Sequence, residues 1–205
     1  MRTQKLFLAG SLLVLAVVLA GCAKPPEMEM KDAQTALDDA RNSAQADKWA
    51  GNEFQAAKSS YDAANQEVET QNQKFALMRN YDKAKEMFAQ AKADAEKARQ
   101  AAIANKETAK NEANNRLQEA TTAITTAREA LSKAPVTKDT KADIQLFTSD
   151  LDGLDQSLGE VRNMISSEDY TNASSKASAI TSQANDIATK LTEAADRAAA
   201  RRGRR

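Results

Sequence analysis

The chain of 205 residues contains one cysteine, Cys22, and no histidine. The thiol of Cys22 is therefore the side chain best suited to covalent chemistry, and it directly follows a long apolar run. The absence of histidine excludes Ser-His and Cys-His catalytic pairs and every metal site that needs an imidazole ligand. Covalent modification of Cys22 is the chemistry that these residue types favour.

Neighbouring carboxylates are the remaining candidates for acid-base chemistry. A catalytic pair needs surroundings that separate the two pKa values. These carboxylates fall instead on polar faces of predicted helices, no Gly-rich phosphate loop is present, and Asp152-Gly153-Leu154 is predicted to be a turn or a helix irregularity. We therefore predict no catalytic residue, no metal ligand and no enzyme activity. The pairs considered are Asp38 and Asp39, Glu67 and Glu69, and Asp150 and Asp152.

The first 21 residues have the composition of a secretory signal. Arg2 and Lys5 form a positive start, and residues 6–20 are an uncharged apolar run. As a helix this run would be about 22 Å long, which is shorter than the ~30 Å hydrocarbon core of a bilayer. It is therefore predicted to be the core of a signal peptide and not a permanent membrane span.

The leader closes with Leu19-Ala20-Gly21-Cys22. This segment closely resembles the lipobox of bacterial lipoprotein precursors, and the alternative is a chance cysteine after an ordinary signal peptide or short anchor. The resemblance implies cleavage between Gly21 and Cys22, diacylglycerol on the thiol and an acyl chain on the freed amine. Three acyl chains exceed the two signals that stable anchoring needs. No Asp follows the cysteine, which by resemblance to enterobacterial sorting implies the outer membrane.

Charge is unevenly distributed along the mature chain. Residues 22–196 carry 22 basic and 29 acidic side chains, whereas residues 197–205 include five arginines. An acidic body with a basic end does not match a nucleic-acid binder, which spreads positive charge over a folded face. The Arg tail, residues 201–205, is predicted either to contact lipid phosphates or cell-wall carboxylates or to be a solvated helix end. The arginines concerned are Arg201, Arg202, Arg204 and Arg205.

Apolar residues recur at alternating spacings of three and four, which predicts amphipathic helices in a bundle or coiled coil. Abundant Ala, Lys, Glu and Gln support helix because each has a low helix cost. The predicted buried stripes are Met30, Ala33, Leu37, Ala40 and Ala44; Phe54, Ala57, Tyr61, Ala64 and Val68; Tyr81, Ala84, Phe88, Ala91, Ala95, Ala98 and Ala102; Leu117, Ala120, Ile124, Ala127 and Leu131; Ile144, Phe147, Leu151, Leu154, Leu158, Val161 and Ile165; and Tyr170, Ala173, Ala177, Ile180, Ala184, Ile187, Leu191 and Ala194.

These stripes repeat at an offset of about 88 residues, which predicts an internal duplication. The predicted fold is all-α, an elongated antiparallel helical bundle or coiled coil built from two duplicated three-helix units. The third and fourth helices are expected to fuse, because no Pro or Gly interrupts residues 81–132. The boundaries are a signal peptide at 1–21, a Pro-containing tether at 22–29, a first unit at 30–105, a second unit at 106–200 and the Arg tail.

Break and cap residues are expected between the helices. Gly51-Asn52 is predicted to end the first helix and cap the second. Polar residues before the third helix of each unit, Asn80 and Ser166-Ser167, are predicted caps. Pro135 is predicted to separate the fourth helix from the fifth, and Thr140-Lys141-Ala142-Asp143 resembles a capping box.

The first unit resembles an uncharacterised family of Ala-rich helical bacterial lipoproteins, some of which precede domains of the outer-membrane-protein-A type. The resemblance covers residues 22–104, departs from the family pattern at Gly51 and Asn80, and implies a helical bundle in the cell envelope without implying an activity. The segments that carry it are Ala40-Arg41-Asn42-Ser43-Ala44, Trp49-Ala50-Gly51-Asn52-Glu53-Phe54-Gln55-Ala56-Ala57 and Asn80-Tyr81-Asp82-Lys83-Ala84.

We therefore expect a lipid-anchored envelope protein that projects a helical body into the periplasm and contacts the cell wall or an envelope protein. One alternative is an interaction module that helps to assemble an outer-membrane complex or transporter. A second is a stress-protective helical protein. The aromatic side chains are predicted to pack at the stripes or at helix ends, with stacking on cell-wall sugars as the alternative. They are Trp49, Tyr61, Tyr81 and Tyr170.

Overall fold

The computed structural model describes residues 23–137 and 140–202, with side chains described up to Ala200. Within these ranges the chain is all-α and has no strand, which confirms the predicted helical bundle. No helix in these ranges is both long enough and apolar enough to cross a membrane. The helices are α1 (Glu27–Asn42), α2 (Ala46–Trp49), α3 (Gly51–Asn72), a 3-10 helix (Ala76–Met78), α4 (Asp82–Lys133), α5 (Lys141–Ser166) and α6 (Tyr170–Arg202).

The amino-terminal end of α1 corrects the predicted tether. The helix begins at Glu27, so residues 27–29 are helical rather than part of a tether. Pro26 is buried, and its carbonyl accepts a hydrogen bond from the Met30 amide at 3.0 Å. Proline suits this position because the first turn needs no amide donor. Glu27 and Glu29 then place negative charge at the positive end of the helix dipole.

The predicted stripes form the core. Every one of their residues is buried or half-buried, because a spacing of three and four keeps side chains on one face of a helix. The expected fusion of the third and fourth helices is confirmed by α4, which runs for 52 residues. The chain divides into two compact units after Lys106, within α4.

In the first unit α1 and α4 run in one direction and α3 runs in the opposite direction. This order follows from three successive clusters of buried residues along the unit. The first cluster lies at the end where α1 begins and the α3–α4 loop (residues 73–81) reverses the chain; we call this the loop end, and the opposite end the far end. From the loop end to the far end the clusters include Ala33, Val68 and Ala84; Leu37, Ala57 and Ala95; and Ala40, Ala50 and Ala98.

The second unit buries larger side chains on α5. Leu151, Leu154 and Leu158 are buried there, whereas the facing stripes of α4 and α6 are rich in alanine. Three ion pairs join its helices at the surface. Arg128 of α4 binds carboxylates on α5, and Lys176 of α6 pairs with Glu160 of α5.

The helix ends depart from several predictions. Asn52 does not cap α3, because that helix already begins at Gly51 and its N-cap residue is Ala50. Gln45 instead adopts a left-handed φ of 54° between α1 and α2. Asp152-Gly153-Leu154 is not a turn, since it lies inside α5.

Two predicted caps also have different partners in the structure. The Thr140 hydroxyl donates to the Pro135 carbonyl oxygen at 2.6 Å and accepts from the Thr137 amide at 2.9 Å. It makes no cap bond to α5, because a loop amide already occupies the hydroxyl oxygen. Ser166 ends α5 and Ser167 is its C-cap residue, so Asp169 and not Ser166-Ser167 directly precedes α6. Asn80 does cap its helix, as predicted, because its Oδ1 accepts from the Asp82 amide at 2.7 Å.

Candidate functional site

The sequence-predicted modification and tail residues lie mostly outside the described residues. Gly21 and Cys22 precede them, and Arg204 and Arg205 follow them. The backbone of Arg201 and Arg202 is helical, because α6 continues to Arg202. The predicted end of the second unit at residue 200 is therefore two residues short of the helix end.

The aromatic side chains pack inside the units rather than standing free for sugars. Tyr81 and Tyr170 are buried, so their ring faces are not accessible for stacking. Tyr61 packs against Phe88 with ring centroids 5.6 Å apart. Trp49 is half-buried, and its indole N–H donates to the Gln45 side chain at 3.2 Å. These positions favour packing over stacking on glycan.

Glu67 differs from the other candidate carboxylates. Asp38, Asp39, Glu69 and Asp150 are exposed, whereas the Glu67 side chain retains 13% exposure. Glu67 accepts hydrogen bonds from the Gln71 amide at 2.8 Å and from the Lys83 ammonium at 2.9 Å. These donors hold the pKa of Glu67 below its ordinary value of 4.5.

Gln71 connects this ion pair to the α3–α4 loop. It is the one buried polar side chain among the residues described. Its Nε2 donates to Glu67, and its Oε1 accepts from the Asn80 amide at 3.2 Å. Both ends of this amide are therefore satisfied, as a buried polar group requires.

The carboxyl end of α3 is held by two further side chains from the loop. The Arg79 guanidinium donates to the backbone oxygens of Asn72 at 2.9 Å and Lys74 at 3.1 Å. The Tyr81 hydroxyl donates to the side-chain oxygen of Asn72. A cation at this position satisfies carbonyls that have no partner within the helix. We call the set Glu67, Gln71, Asn72, Arg79, Asn80 and Tyr81 the loop network.

The loop network supports a segment whose large apolar side chains face solvent. Phe75, Leu77 and Met78 are 71%, 57% and 74% exposed, although they lie within or beside the 3-10 helix. Met28, in the first turn of α1 at the same end of the unit, is 76% exposed. We call these four residues the apolar tip. Exposed apolar side chains that lie together commonly mark an interaction surface.

The matching connection in the second unit has no such segment. Only Ser167, Glu168 and Asp169 join α5 to α6. Glu168 adopts a left-handed φ of 60°, and the Asp169 amide donates to the Met164 carbonyl oxygen, which completes a tight helix end. Reversal between the second and third helices therefore needs about three residues, and the nine-residue loop of the first unit exceeds that requirement.

The second unit has a hollow of about 240 Å³ where α4 ends and α5 begins. Ile144 and Phe147 form half-buried apolar walls, and the charged groups of Asp143, Lys190 and Arg197 also line it. An apolar floor with a few charged groups is the composition of a small contact site. Among the described residues, no cluster of three or more Asp, Glu or Cys side chains could hold a metal ion.

The loop network and the apolar tip were not predicted from the sequence. The available signal was Lys74-Phe75-Ala76-Leu77-Met78-Arg79, an apolar segment between two cations that fits neither neighbouring stripe.

No protein-family model matches the chain, and no curated protein or solved structure does so either.

Proposed function

We propose that the chain is a lipid-anchored lipoprotein of the bacterial envelope with a structural or scaffolding role and no enzymatic activity. The observation that carries the proposal is Leu19-Ala20-Gly21-Cys22 at the end of a signal-like leader. The thiol accepts diacylglycerol, and the amine left by cleavage after Gly21 accepts a further acyl chain. The protein then has no other resident cofactor.

The helical body supports a structural role. Its regular spacing of apolar residues produces two compact units with packed helices. Attached at Cys22 to the periplasmic face of the outer membrane, such a body would stand beside the bilayer and contact the cell wall or an envelope protein. The Arg tail is one candidate for a contact with cell-wall carboxylates.

Metabolic labelling tests the anchor. In bacteria fed with labelled palmitate, the wild-type protein should incorporate the label and fractionate with membranes, whereas Cys22→Ser should incorporate none and retain its leader. Ala23→Ser, a small change outside the four-residue motif, is the matched control and should be labelled normally. Membrane fractionation of both proteins with no palmitate on either would refute the anchor.

Binding to purified cell walls tests the role of the Arg tail. Retention of the protein by sacculi should weaken at high salt and on deletion of residues 201–205, because contacts between exposed charges are screened. Removal of the single cation Lys58, which is exposed on α3, is the control for a general loss of charge. Equal retention of the wild-type and shortened proteins would exclude an ionic tail contact.

The hollow beside Phe147 favours a second candidate, an interaction module for an outer-membrane complex or transporter. A photo-crosslinking residue at position 147 should then capture one dominant protein in intact cells. The same residue at Thr148, which is exposed on the next position of α5, is the control. A stress-protective helical protein is the weaker alternative. Circular dichroism of the soluble body tests it, because a coil in buffer would favour that role over a packed bundle.

A further inference from the structure

We infer that the apolar tip inserts into the interface of the membrane that holds the lipid on Cys22, where Phe75, Leu77 and Met78 contact phospholipid headgroups and the first acyl carbons. This inference rests on the proposed anchor and adds to it a second membrane contact made by the folded body. The occupant of the tip is a phospholipid surface rather than another protein.

The exposed large apolar side chains are concentrated at the loop end of the first unit. Seven large apolar side chains are more than half exposed in the described part of the chain, and four of them, Met28, Phe75, Leu77 and Met78, lie at the loop end of the first unit. The other three are Ile103, Val136 and Leu146. Exposure of this kind is unfavourable in water and favourable at a bilayer interface, where aromatic and aliphatic side chains leave water.

Hydrogen bonds hold the α3–α4 loop in place. Arg79 donates to one backbone oxygen of the loop and to one of α3. The buried Gln71 side chain accepts a hydrogen bond from the Asn80 amide. The three apolar side chains are therefore presented by a supported 3-10 turn. The second unit reverses its chain with three residues, so the additional loop residues are not needed to connect the helices.

The short segment between Cys22 and α1 limits how far the loop end can lie from the lipid. Five peptide steps separate Cys22 from Glu27, and a fully extended chain covers at most about 18 Å over that distance. Glu27 begins α1 at the loop end, where Met30 packs against the cluster that contains Val68 and Tyr81. Acyl chains on Cys22 would therefore hold the loop end close to the bilayer. The far end of the unit would be held away from it.

Positively charged side chains flank the apolar segment of the loop. Lys74 and Arg79 bracket the apolar segment, and residues 70–81 contain no Asp or Glu. Lys24, which is exposed, adds a further cation between Cys22 and α1. Cations beside apolar side chains suit a surface of lipid phosphates, because the side chains enter the interface while the charges remain with the headgroups. Glu27, Glu29 and Asp82 also lie at the loop end, in the first turns of α1 and α4.

Tryptophan fluorescence tests the insertion in the full chain. The protein is purified from a bacterial host and incorporated into vesicles of phosphatidylethanolamine and phosphatidylglycerol that are brominated close to the headgroup. Phe75→Trp should show blue-shifted emission from the added residue and lose roughly half or more of it relative to unbrominated vesicles. The native Trp49 packs in the far-end cluster and should remain unquenched.

Two further variants separate insertion from mere proximity. Ile103→Trp places the same probe at an exposed apolar position next to Ala102 of the far-end cluster, and its emission should be unaffected by bromine. Leu77→Glu, combined with Phe75→Trp, should abolish quenching because a carboxylate resists entry into the interface. Persistent quenching in that double variant would overturn the inference.

The outcomes distinguish this inference from the proposed anchor. Palmitate on Cys22 without quenching of Phe75→Trp would refute the insertion and leave the anchor intact. Quenching without palmitate would refute the anchor and leave the insertion intact. Crosslinks from position 75 to a second copy or another protein, with no quenching, would assign the apolar tip to that partner and overturn the inference.

Discussion

The Glu67 carboxylate lies 2.9 Å from the Lys83 ammonium. This ion pair joins a Glu on the second helix of a unit to a Lys sixteen residues later on the third helix. Glu160 and Lys176 form the same kind of pair in the second unit. Both pairs join antiparallel neighbours close to the chain reversal. Only Glu67 also accepts from a buried amide, that of Gln71. The first unit therefore couples its ion pair to the conformation of a loop.

Stability of the first unit should fall at acid pH through Glu67. Its pKa is lower in the folded state than the ordinary 4.5, because Gln71 and Lys83 donate to the carboxylate. The stabilisation is therefore present above the unfolded pKa and is lost as the pH falls through the folded pKa, from about pH 5 downward.

Denaturation midpoints of wild type and Glu67→Gln, measured from pH 7 to pH 3, test this assignment. The variant should be less stable at pH 7 and show a shallower acid decline. Glu69→Gln, on an exposed neighbour, is the control and should follow wild type. Parallel curves for wild type and Glu67→Gln would contradict the role of this carboxylate.

Gln71→Leu should destabilise the first unit by about 1–3 kcal/mol, because the Asn80 amide and the Glu67 carboxylate each lose a partner. Urea denaturation followed by circular dichroism measures the change. Gln73→Leu, at an exposed position in the same loop, should stay within about 0.5 kcal/mol of wild type. Equal stability of the two variants would exclude a structural role for the buried amide.

Gly153→Ala and Gly159→Ala should each stabilise the second unit by about 0.5–1 kcal/mol. Both glycines lie in the interior of α5, and a Cβ added to either meets no atom within 4 Å. Thermal denaturation should show a higher midpoint for each variant. Gly51→Ala, at the first residue of α3, has equal space but should gain less, because a terminal residue contributes less to helix formation. A lower midpoint for either α5 variant would show that the glycine is required there.

Ala91→Leu should destabilise the first unit by about 1–3 kcal/mol. Ala91 is fully buried in the cluster that contains Ala64 and Phe88, where methyl groups set the distance between helices. A larger side chain must push α4 away from its neighbours. Ala89→Leu, at an exposed position of α4, should be nearly neutral. If both variants match wild type, the alanine stripe does not set helix spacing.

Removal of Arg128 should weaken the second unit. Its guanidinium lies 2.7 Å from Asp152 and 2.6 Å from Asp155, and both contacts raise its pKa further. Arg128→Ala should cost about 0.5–1 kcal/mol, since the network is largely exposed. Arg128→Lys should restore part of that loss, because the ammonium keeps the charge but is more strongly hydrated than the guanidinium. A loss that is insensitive to salt would contradict an electrostatic origin.

The buried faces of the helices and the extent of the long helix follow from the amino-acid sequence alone. The spacing of residues such as Tyr81, Ala84 and Phe88 fixes one face of a helix before any partner is known. Residues 81–132 lack Pro and Gly, so nothing breaks α4. The Leu19–Cys22 segment is equally local, and its chemistry depends on a few consecutive side chains.

The conformations of the helix connections depend on tertiary contacts that the sequence pattern does not indicate. Gln71 continues the spacing of the α3 stripe after Val68, but its polar side chain did not indicate burial. The hydrogen bond that it accepts from the Asn80 amide, nine residues away, satisfies it there. The Thr140 hydroxyl donates to the Pro135 carbonyl oxygen, a partner that its capping pattern did not indicate. Exposure of Phe75 and Met78 depends on how Arg79 and Tyr81 hold the loop against α3. A periodic pattern specifies a helix face, whereas a loop has no period, and its conformation is set by hydrogen bonds between residues that meet only after the helices have packed.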